Sequence, residues 1–371
     1  MRKWFGFGLG FAAVVATGVP RAWGDFEAAE FQAAGPPCLT DADCDDGSPC
    51  TQDICELGAC VYEGDEAAEA GQILLVTSSN NDAVRRYLRP SGQFQGALVT
   101  GLSGALDEPS GMAFGPDGSL YVASIAKNSV NRYHWPSGLL LDDFVSPNSG
   151  GLNEPFGILF DVDQGWLLVA SSMTDSVLAY DIHTGVFLKA FVMSGDGGLD
   201  SPIFLLRDPD GNLLVSSFET HSVLKYHWPS GQSLGAFVHA TDGGLINPTG
   251  MAWGPDGNLY VSSFGTDSVK VYHWPTGQFL HNYVPARRGG LDGPAWLIFT
   301  DFGLYVASFN TDNVLQYHYP SGDFARAFVP ARNGNLDGPI GLLLSEAICD
   351  SKFLYTSLGR DVAPQRIIRR P

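Results

Sequence analysis

The strongest constraint on this chain is an internal repeat of about 46 residues that occurs six times. One repeated feature is an apolar pentad of the type L-Y-V-x-S, whose central valines are Val76, Val122, Val169, Val215, Val261 and Val306. A second feature is a proline that keeps the same interval, at Pro109, Pro155, Pro202, Pro248, Pro294 and Pro339. A V-x-x-Y pair, from Val84 and Tyr87 onward, is the third. Because three unrelated features share one period, the chain repeats a single structural unit.

Each unit divides into four short apolar runs that are separated by turn residues. In the unit that begins at Pro248, the turns are Gly-Pro-Asp-Gly at 254–257, Gly-Thr-Asp at 265–267 and Pro-Thr-Gly at 275–277. Proline presets φ, Asp bonds its own backbone and Gly accepts a positive φ, so these segments are hairpin turns. Four antiparallel strands in each unit, repeated radially, predict an all-β fold, a β-propeller of four-stranded blades.

The repeat resembles the NHL family of β-propellers, in the variant found in exported bacterial proteins. The matching residues are G-P-D-G-x-L-Y-V-x-S followed by D-S-V-x-x-Y, as at 254–272, and the likeness covers roughly 72–345. The resemblance implies a propeller fold. It does not imply one activity, because that family includes scaffolds, receptors and a few enzymes.

The number of blades depends on how the ring closes. The first unit begins at Ile73 with its second strand, and the last innermost strand follows Pro339. Closure of the first blade by that C-terminal strand predicts a six-bladed propeller. Residues 353–369 look like a decayed second and third strand, so seven blades with an incomplete last one are the alternative.

The chain begins with a predicted secretory signal peptide. Arg2 and Lys3 precede an apolar run over 4–19, and the small residues Ala22 and Gly24 fit a cleavage site after residue 24. No later stretch has 18 consecutive apolar residues, so no membrane insertion is predicted. We expect the protein to be secreted, or periplasmic or at the cell surface. The net charge of −19 argues against binding to nucleic acid, which requires a basic surface.

Six cysteines are present, and five of them fall within 23 residues. They are Cys38, Cys44, Cys50, Cys55, Cys60 and the distant Cys349. An exported chain meets oxidising conditions, so we expect disulfides, while the absence of a C-x-x-C pair disfavours zinc. Since five is an odd number, one cysteine of the cluster needs a partner elsewhere, and Cys349 is the candidate. The sequence therefore divides into 1–24 (signal peptide), 25–37 (linker), 38–60 (disulfide-rich module), 61–71 (linker), 72–349 (propeller) and 350–371 (tail or decayed blade).

The cysteine-rich segment resembles the repeats of slime-mould extracellular matrix proteins, with their C-D-D-G-x-x-C-T-x-D-x-C pattern. Asp41, Asp43 and Asp45 precede Gly47 and are candidate calcium ligands, because alternating carboxylates before a glycine are typical of calcium loops. Their spacing is one residue off the usual form and no glutamate closes the loop. The alternative is a solvated acidic turn.

The candidate site of the propeller is the mouth of its central channel. Inter-blade loops and second-to-third-strand turns are expected on one face, where the residues before the repeated prolines can converge. Glu108, Glu154 and Asn247 are candidate ligands for one calcium ion, in an arrangement similar to that of gluconolactonase-like propellers. The alternative is that the repeated aspartates of this segment cap the loops by accepting backbone N–H groups.

Two further groups of residues are prominent. Arg287, Arg288 and Arg332 lie in inter-blade loops and are candidate partner-binding residues, since arginines recognise carboxylate or sulfate; loop solubility is the alternative. Four histidines occupy the same position of different blades, at His134, His227, His273 and His318. Because equivalent outer positions lie far apart around a ring, we interpret them as structural.

These observations favour an exported binding or scaffold propeller that engages a protein or glycan through its inter-blade loop face. One alternative is a divalent-metal-dependent hydrolase or lyase acting at the channel, as in gluconolactonase-like propellers. Another is a structural matrix or surface-coat component. An enzyme is the less favoured interpretation and no catalytic residue is assigned, because no G-x-S-x-G, H-E-x-x-H or P-loop motif is present. The sequence predicts no oligomeric state.

Overall fold

A computed structural model describes residues 51–56, 59–64, 72–101 and 105–345. In the N-terminal region, strands β1 (Thr51–Glu56) and β2 (Ala59–Gly64) form a two-stranded sheet, with Cys55 in β1 and Cys60 in β2. The predicted signal peptide, the aspartates at 41, 43 and 45 and the other four cysteines lie outside the described residues. No helix of the described residues is long and apolar enough to cross a membrane.

The remaining strands form six four-stranded antiparallel sheets, the blades of a propeller. Blade 1 contains β26 (Pro339–Leu344), β3 (Ile73–Ser78), β4 (Ala83–Leu88) and β5 (Gln93–Val99). Blade 2 contains β6 (Pro109–Phe114), β7 (Leu120–Ser124), β8 (Ser129–Tyr133) and β9 (Leu140–Val145). Blade 3 contains β10 (Pro155–Asp161), β11 (Trp166–Ser171), β12 (Ser176–Asp181) and β13 (Phe187–Val192).

The second half of the ring follows the same order. Blade 4 contains β14 (Pro202–Arg207), β15 (Leu213–Ser217), β16 (Ser222–Tyr226) and β17 (Ser233–Val238). Blade 5 contains β18 (Pro248–Trp253), β19 (Leu259–Ser263), β20 (Ser268–Tyr272) and β21 (Phe279–Val284). Blade 6 contains β22 (Pro294–Thr300), β23 (Gly303–Ser308), β24 (Asn313–Tyr317) and β25 (Phe324–Val329).

Short 3-10 turns complete the elements. They are Ser79–Asn81, Ser149–Gly151, Ser172–Thr174, Asp196–Gly198, Asp242–Gly244, Phe264–Thr266, Arg288–Gly290, Phe309–Thr311 and Asn333–Asn335.

The ring closes as the six-blade prediction required. Strand β26 supplies the innermost strand that the first repeat lacks, and it pairs antiparallel with β3, Leu342 opposite Val76. The backbone N–H of Ser345 also donates to the carbonyl of Ile73 at 2.9 Å. The six-bladed prediction is confirmed and the seven-bladed alternative is wrong. Joining the first and last strands of the propeller in one sheet leaves each blade packed between two neighbours.

This packing explains why the second strand of each blade is a continuous apolar run rather than an alternating one. All five residues of β19 are buried, because blades cover both faces of the sheet. Tyr260 of that strand packs edge-on against Phe299 of the next blade, with ring centroids 4.8 Å apart. Burial of such a side chain stabilises the fold by about 1.5–3 kcal/mol.

Five of the six tyrosines of the V-x-x-Y pairs connect their blade to the inter-blade loop that precedes it. Tyr272 is fully buried, and its hydroxyl donates to the carbonyl of Asp242 at 2.9 Å. The equivalent bonds are Tyr87 to Asn333, Tyr180 to Ser149, Tyr226 to Asp196 and Tyr317 to Arg288. Each bond satisfies a buried hydroxyl and fixes the path of a loop.

These phenols make the fold sensitive to alkali. Burial raises the pKa of the repeated tyrosines well above the ordinary value of about 10; the affected residues are Tyr87, Tyr133, Tyr180, Tyr226, Tyr272 and Tyr317. The folded chain keeps protons that the unfolded chain releases near pH 10. Their contribution to stability is therefore complete below about pH 10 and is lost as the pH rises toward the folded-state pKa.

We accordingly expect the free energy of unfolding to be nearly constant between about pH 7 and pH 9 and to fall above about pH 10. Denaturant unfolding at several pH values measures this, and absorbance at the tyrosinate band reports when the phenols ionise. In Tyr272→Phe the alkaline decline should be shallower, because one such phenol is removed. If most tyrosinate signal appeared near pH 10 in protein that is still folded, the expectation would be wrong.

Candidate functional site

The inter-blade loops and the second-to-third-strand turns meet on one face of the propeller, as the sequence predicted. The N–H of Ser172, the first residue of such a turn, donates to the carbonyl of Glu154 before Pro155 at 3.1 Å. Phe264 and Asn247 make the equivalent bond in blade 5. We call this surface the loop face; it consists of the six second-to-third-strand turns and the residues just before the six repeated prolines.

Serines at the ends of the second strands hold the loop face together. The hydroxyl of Ser263 accepts the N–H of Ile246 at 3.0 Å and donates to the carbonyl of the same residue at 3.1 Å. The same pair of hydrogen bonds joins Ser78 to Asp337, Ser124 to Asp107, Ser171 to Asn153, Ser217 to Asp200 and Ser308 to Asp292. These serines are buried structural residues, consistent with the absence of a nucleophile motif.

The last residue of each of these turns links two blades. Asp267 has a left-handed φ of 50°, and its carboxylate accepts the N–H of Gly293, before the next proline, at 3.0 Å. The other donor and acceptor pairs are Glu108 with Asp82, Glu154 with Asn128, Ser201 with Asp175, Asn247 with His221 and Gly338 with Asp312. Six similar bonds therefore position the residues that surround the channel.

A cavity of about 580 Å³ opens at the centre of the loop face. All six blades contribute to its wall, which is lined by Ser79, Asn80, Glu108, Ile125, Glu154, Phe156, Ser172, Met173, Ser201, Ile203, Phe218, Glu219, Thr249, Phe264, Ala295, Trp296, Phe309 and Ile340. Its volume lies in the range of small-molecule sites.

One side of the cavity is acidic. Glu108 and Glu154 precede Pro109 and Pro155, and each has a φ of 50°. A left-handed backbone costs a residue with a Cβ about 1–2 kcal/mol, and the same position is a glycine in blades 6 and 1. The third carboxylate, Glu219, lies in the turn of blade 4. The three glutamates come from three consecutive blades, 2, 3 and 4.

The other side carries most of the aromatic lining; the exception is Phe156, which lies in the same blade as Glu154. Phe218, Phe264 and Phe309 occupy the first turn position of blades 4, 5 and 6. The ring centroids of the first two are 6.1 Å apart, and those of the last two are 6.2 Å apart. Because blade 5 is opposite blade 2 and blade 6 opposite blade 3 in a six-membered ring, this arc faces Glu108 and Glu154 across the channel. No Lys, Arg or His is among the lining residues.

The predicted calcium ligands are only partly brought together. Glu108 and Glu154 line the cavity, but Asn247 does not, and its side-chain amide donates to the carbonyl of Phe218 at 3.1 Å. Within the described residues, no group of three or more His, Cys, Asp or Glu side chains could hold a metal ion. Calcium binding by these three residues stays a prediction.

Two of the four repeated aspartates before the prolines differ from the predicted caps. Asp292 accepts a hydrogen bond from the side-chain amide of Asn310 at 2.6 Å, and Asp337 accepts one from Asn80 at 2.8 Å, so their partners are side chains rather than backbone N–H groups. In blade 4 the residue equivalent to these asparagines is Glu219. The equivalent residues of blades 2, 3 and 5 are Ala126, Met173 and Gly265, so the pairing occurs in blades 1 and 6, and blade 4 alone places a carboxylate at this position.

The three arginines lie away from the cavity lining. Arg287 and Arg332 are equivalent residues of neighbouring loops, and their Nε atoms contact Asp267 and Asp312 at 3.0 and 3.1 Å. Both side chains are more than three-quarters exposed. The hydrogen bond to Asp267 raises the pKa of Arg287 above the ordinary value of a guanidinium group. Arg288 pairs with Asp323. Their predicted role in partner binding remains a prediction.

The histidines of the Y-H-W/Y-P segments lie at the opposite ends of the strands, in exposed third-to-fourth-strand turns. His134, His227 and His273 each contact the hydroxyl three residues later through Nδ1, at 2.8–3.0 Å. Their tryptophan neighbours pack inside the propeller; Trp274, for example, contacts Trp253 at 5.2 Å between ring centroids. These contacts are local to each turn, and the structural interpretation of the histidines stays a prediction.

No protein-family model and no curated protein matches this chain. Solved structures do match. A nidogen/laminin complex contains a chain with TM-score 0.60 and 16% identity, covering 75% of this chain and 100% of that one. A Bacteroides caccae protein of unknown function gives TM-score 0.57 and 16% identity, covering 74% and 98%. A catalytically inactive virginiamycin B lyase from Staphylococcus aureus with quinupristin gives 0.53 and 10%, covering 76% and 94%. At these identities the likeness shows the propeller fold alone.

Proposed function

We propose that this chain is an exported binding propeller of the NHL type that engages a protein partner through its loop face and performs no catalysis. Export follows from the predicted signal peptide, and the disulfide-rich module is its predicted N-terminal attachment. The partner is expected on the loop face because that face carries the cavity and the residues that differ between blades.

The observation that carries the proposal is where the six repeats agree and where they diverge. Positions that support each blade are repeated, such as the serines at the ends of the second strands and the buried tyrosines of the V-x-x-Y pairs. Positions on the loop face vary around the ring: the residues before the prolines are Gly338, Glu108, Glu154, Ser201, Asn247 and Gly293, and the first turn residues are Ser79, Ile125, Ser172, Phe218, Phe264 and Phe309. Repetition of the supporting positions is enough to build the ring, whereas contact with an asymmetric partner uses positions that differ around it.

The cavity favours binding over catalysis, while the comparisons include one protein of each kind. Nidogen, whose propeller has the same fold, is seen in a complex with laminin, so this architecture supports protein recognition. The fold shared with virginiamycin B lyase supports the alternative of a metal-dependent hydrolase or lyase. That alternative is weaker, because the cavity lining includes Glu108 and Glu154 but not Asn247, and contains no His, Cys, Lys or Tyr.

Photo-crosslinking tests the proposal on the full-length exported chain. A benzophenone amino acid replaces Met173, which is 60% exposed on the loop face, or the exposed His273 of the opposite face as the matched control. Each variant is mixed with the extracellular proteins of the producing organism and irradiated. We expect a discrete protein adduct from position 173 and none from 273. Adducts from 273 alone, or equally from both positions, would show that another surface binds the partner.

A further inference from the structure

The cavity at the channel mouth combines three features that together specify the chemistry of a small ligand. It has a size suited to small molecules, two carboxylates, Glu108 and Glu154, opposite an arc of three phenylalanines, and a third carboxylate, Glu219, next to Phe218 at one end of that arc. These features belong to residues from different blades, at positions where the repeat is not maintained. The combination cannot arise from the blade repeat itself.

The carboxylates lack a counter-charge. Of the nine ion pairs within the described residues, all use aspartate, and none involves Glu108, Glu154 or Glu219. The side chains of these three glutamates accept no hydrogen bond within that part of the chain either. No Lys or Arg lines the cavity, and the whole chain carries a net charge of −19. A cation is therefore the complementary charge, and an anion is disfavoured.

The aromatic side defines the rest of the ligand. Phe218, Phe264 and Phe309 form an arc, and the buried Trp296 packs at 4.4 Å against Phe204 near the axis. Aromatic faces attract organic cations and also remove apolar groups from water. A hydrated metal ion would use only the acidic side. An ammonium group on an apolar body would use both sides.

We propose that this cavity binds a small organic cation, a protonated amine carried on an apolar or aromatic group. The ammonium group lies toward Glu108 and Glu154, and the apolar body lies against the arc of Phe218, Phe264 and Phe309. The opposed positions of these two sets across the ring orient the ligand.

Isothermal titration of the full-length protein at neutral pH, with a chelator present to exclude metal ions, tests this assignment. Three probes share one phenylbutyl body and differ in charge: phenylbutylammonium, phenylbutanol and 5-phenylvalerate. We expect the ammonium to bind about tenfold more tightly than the alcohol. The carboxylate should bind more weakly than either, and the preference for the ammonium should decrease with added salt.

Paired variants assign the preference to the cavity. Glu108→Gln/Glu154→Gln should lower the affinity for phenylbutylammonium about tenfold, to the level of the alcohol, and leave the alcohol unchanged. Phe264→Leu should weaken both ligands. Asp163→Asn removes an exposed carboxylate from the turn between β10 and β11, on the opposite face, and should change neither affinity.

The assignment is overturned if the ammonium and the alcohol bind equally, if the preference survives in the double glutamine variant, or if no probe binds at millimolar concentration. A thermal melt of each variant verifies that it is folded. The titration needs no partner protein. Its failure therefore leaves the proposed binding of a protein untouched, and an absence of crosslinked partners leaves the cation site untouched.

Discussion

Gly277→Ala is expected to lower the free energy of unfolding by about 3 kcal/mol or more. Gly277 ends the hairpin between the third and fourth strands of blade 5, where its φ is +72°. A Cβ at this position would lie 1.7 Å from the carbonyl oxygen of Phe237 in blade 4. The substitution therefore has two costs. Alanine is strained at this positive φ, and its Cβ clashes with the backbone of a neighbouring blade, which cannot move without disturbing the ring.

Gly257→Ala is the matched control. Gly257 also has a positive φ, +76°, but nothing lies within 4 Å of an added Cβ. Only the conformational penalty of about 1–2 kcal/mol applies there. Denaturant unfolding followed by tryptophan fluorescence compares the two variants. Equal losses would show that the close approach of blades 4 and 5 adds nothing.

The same approach recurs around the whole ring, so the result would apply to every blade interface. In each blade the glycine of the hairpin between the third and fourth strands faces a carbonyl oxygen of the fourth strand of the preceding blade, 1.7–2.0 Å from where a Cβ would lie. The other pairs of glycine and carbonyl residue are Gly92 and Phe328, Gly138 and Leu98, Gly185 and Phe144, Gly231 and Phe191, and Gly322 and Tyr283. The repeated glycine thus serves two purposes, a turn and a blade contact.

Lys225→Met should be similarly costly, by about 3–5 kcal/mol, because it leaves a buried carboxylate without its cation. The Asp208 side chain is fully buried, and Lys225 Nζ lies 2.8 Å from its Oδ2. Its Oδ1 accepts the N–H of Asn212 at 2.7 Å, which fixes the carboxylate in place. Methionine keeps the length of the lysine stem but removes the charge.

Two further variants separate the charge from the packing. The double variant Asp208→Asn/Lys225→Met should recover most of the loss, since a neutral amide still accepts the Asn212 N–H. Lys127→Met removes a pair with Asp143 whose partners are 24% and 34% exposed, and should cost less than about 1 kcal/mol. A double variant as unstable as Lys225→Met alone would mean that the loss came from packing.

Much of the fold was predictable because each blade is local in sequence. The pentad that includes Val261, the turn Gly-Pro-Asp-Gly at 254–257 and the pair Val269 and Tyr272 define the strands within fewer than 20 residues. Closure by β26 also followed from the sequence, because the first repeat lacks an innermost strand. Alignment of the six repeats would further have revealed that the residue after the pentad changes to phenylalanine in blades 4 to 6.

The site was less predictable because it joins residues that are a repeat or more apart. Glu108 and Glu154 were singled out from their position before the prolines, and both line the cavity. Asn247 shares that position, but its amide bonds to Phe218 instead. Glu219 and the aromatic arc carried no motif of their own.

The sequence by itself determined the class of fold and the face on which the loops gather, because these depend on turn chemistry and period, and it favoured six blades over seven. Only the tertiary structure decided which side chains share the cavity and which make hydrogen bonds within their own blade. Asp292 and Asp337, for example, accept hydrogen bonds from Asn310 and Asn80. The reason is physical. Backbone periodicity repeats identically in every blade, whereas the direction and partners of a side chain depend on neighbours that differ from blade to blade.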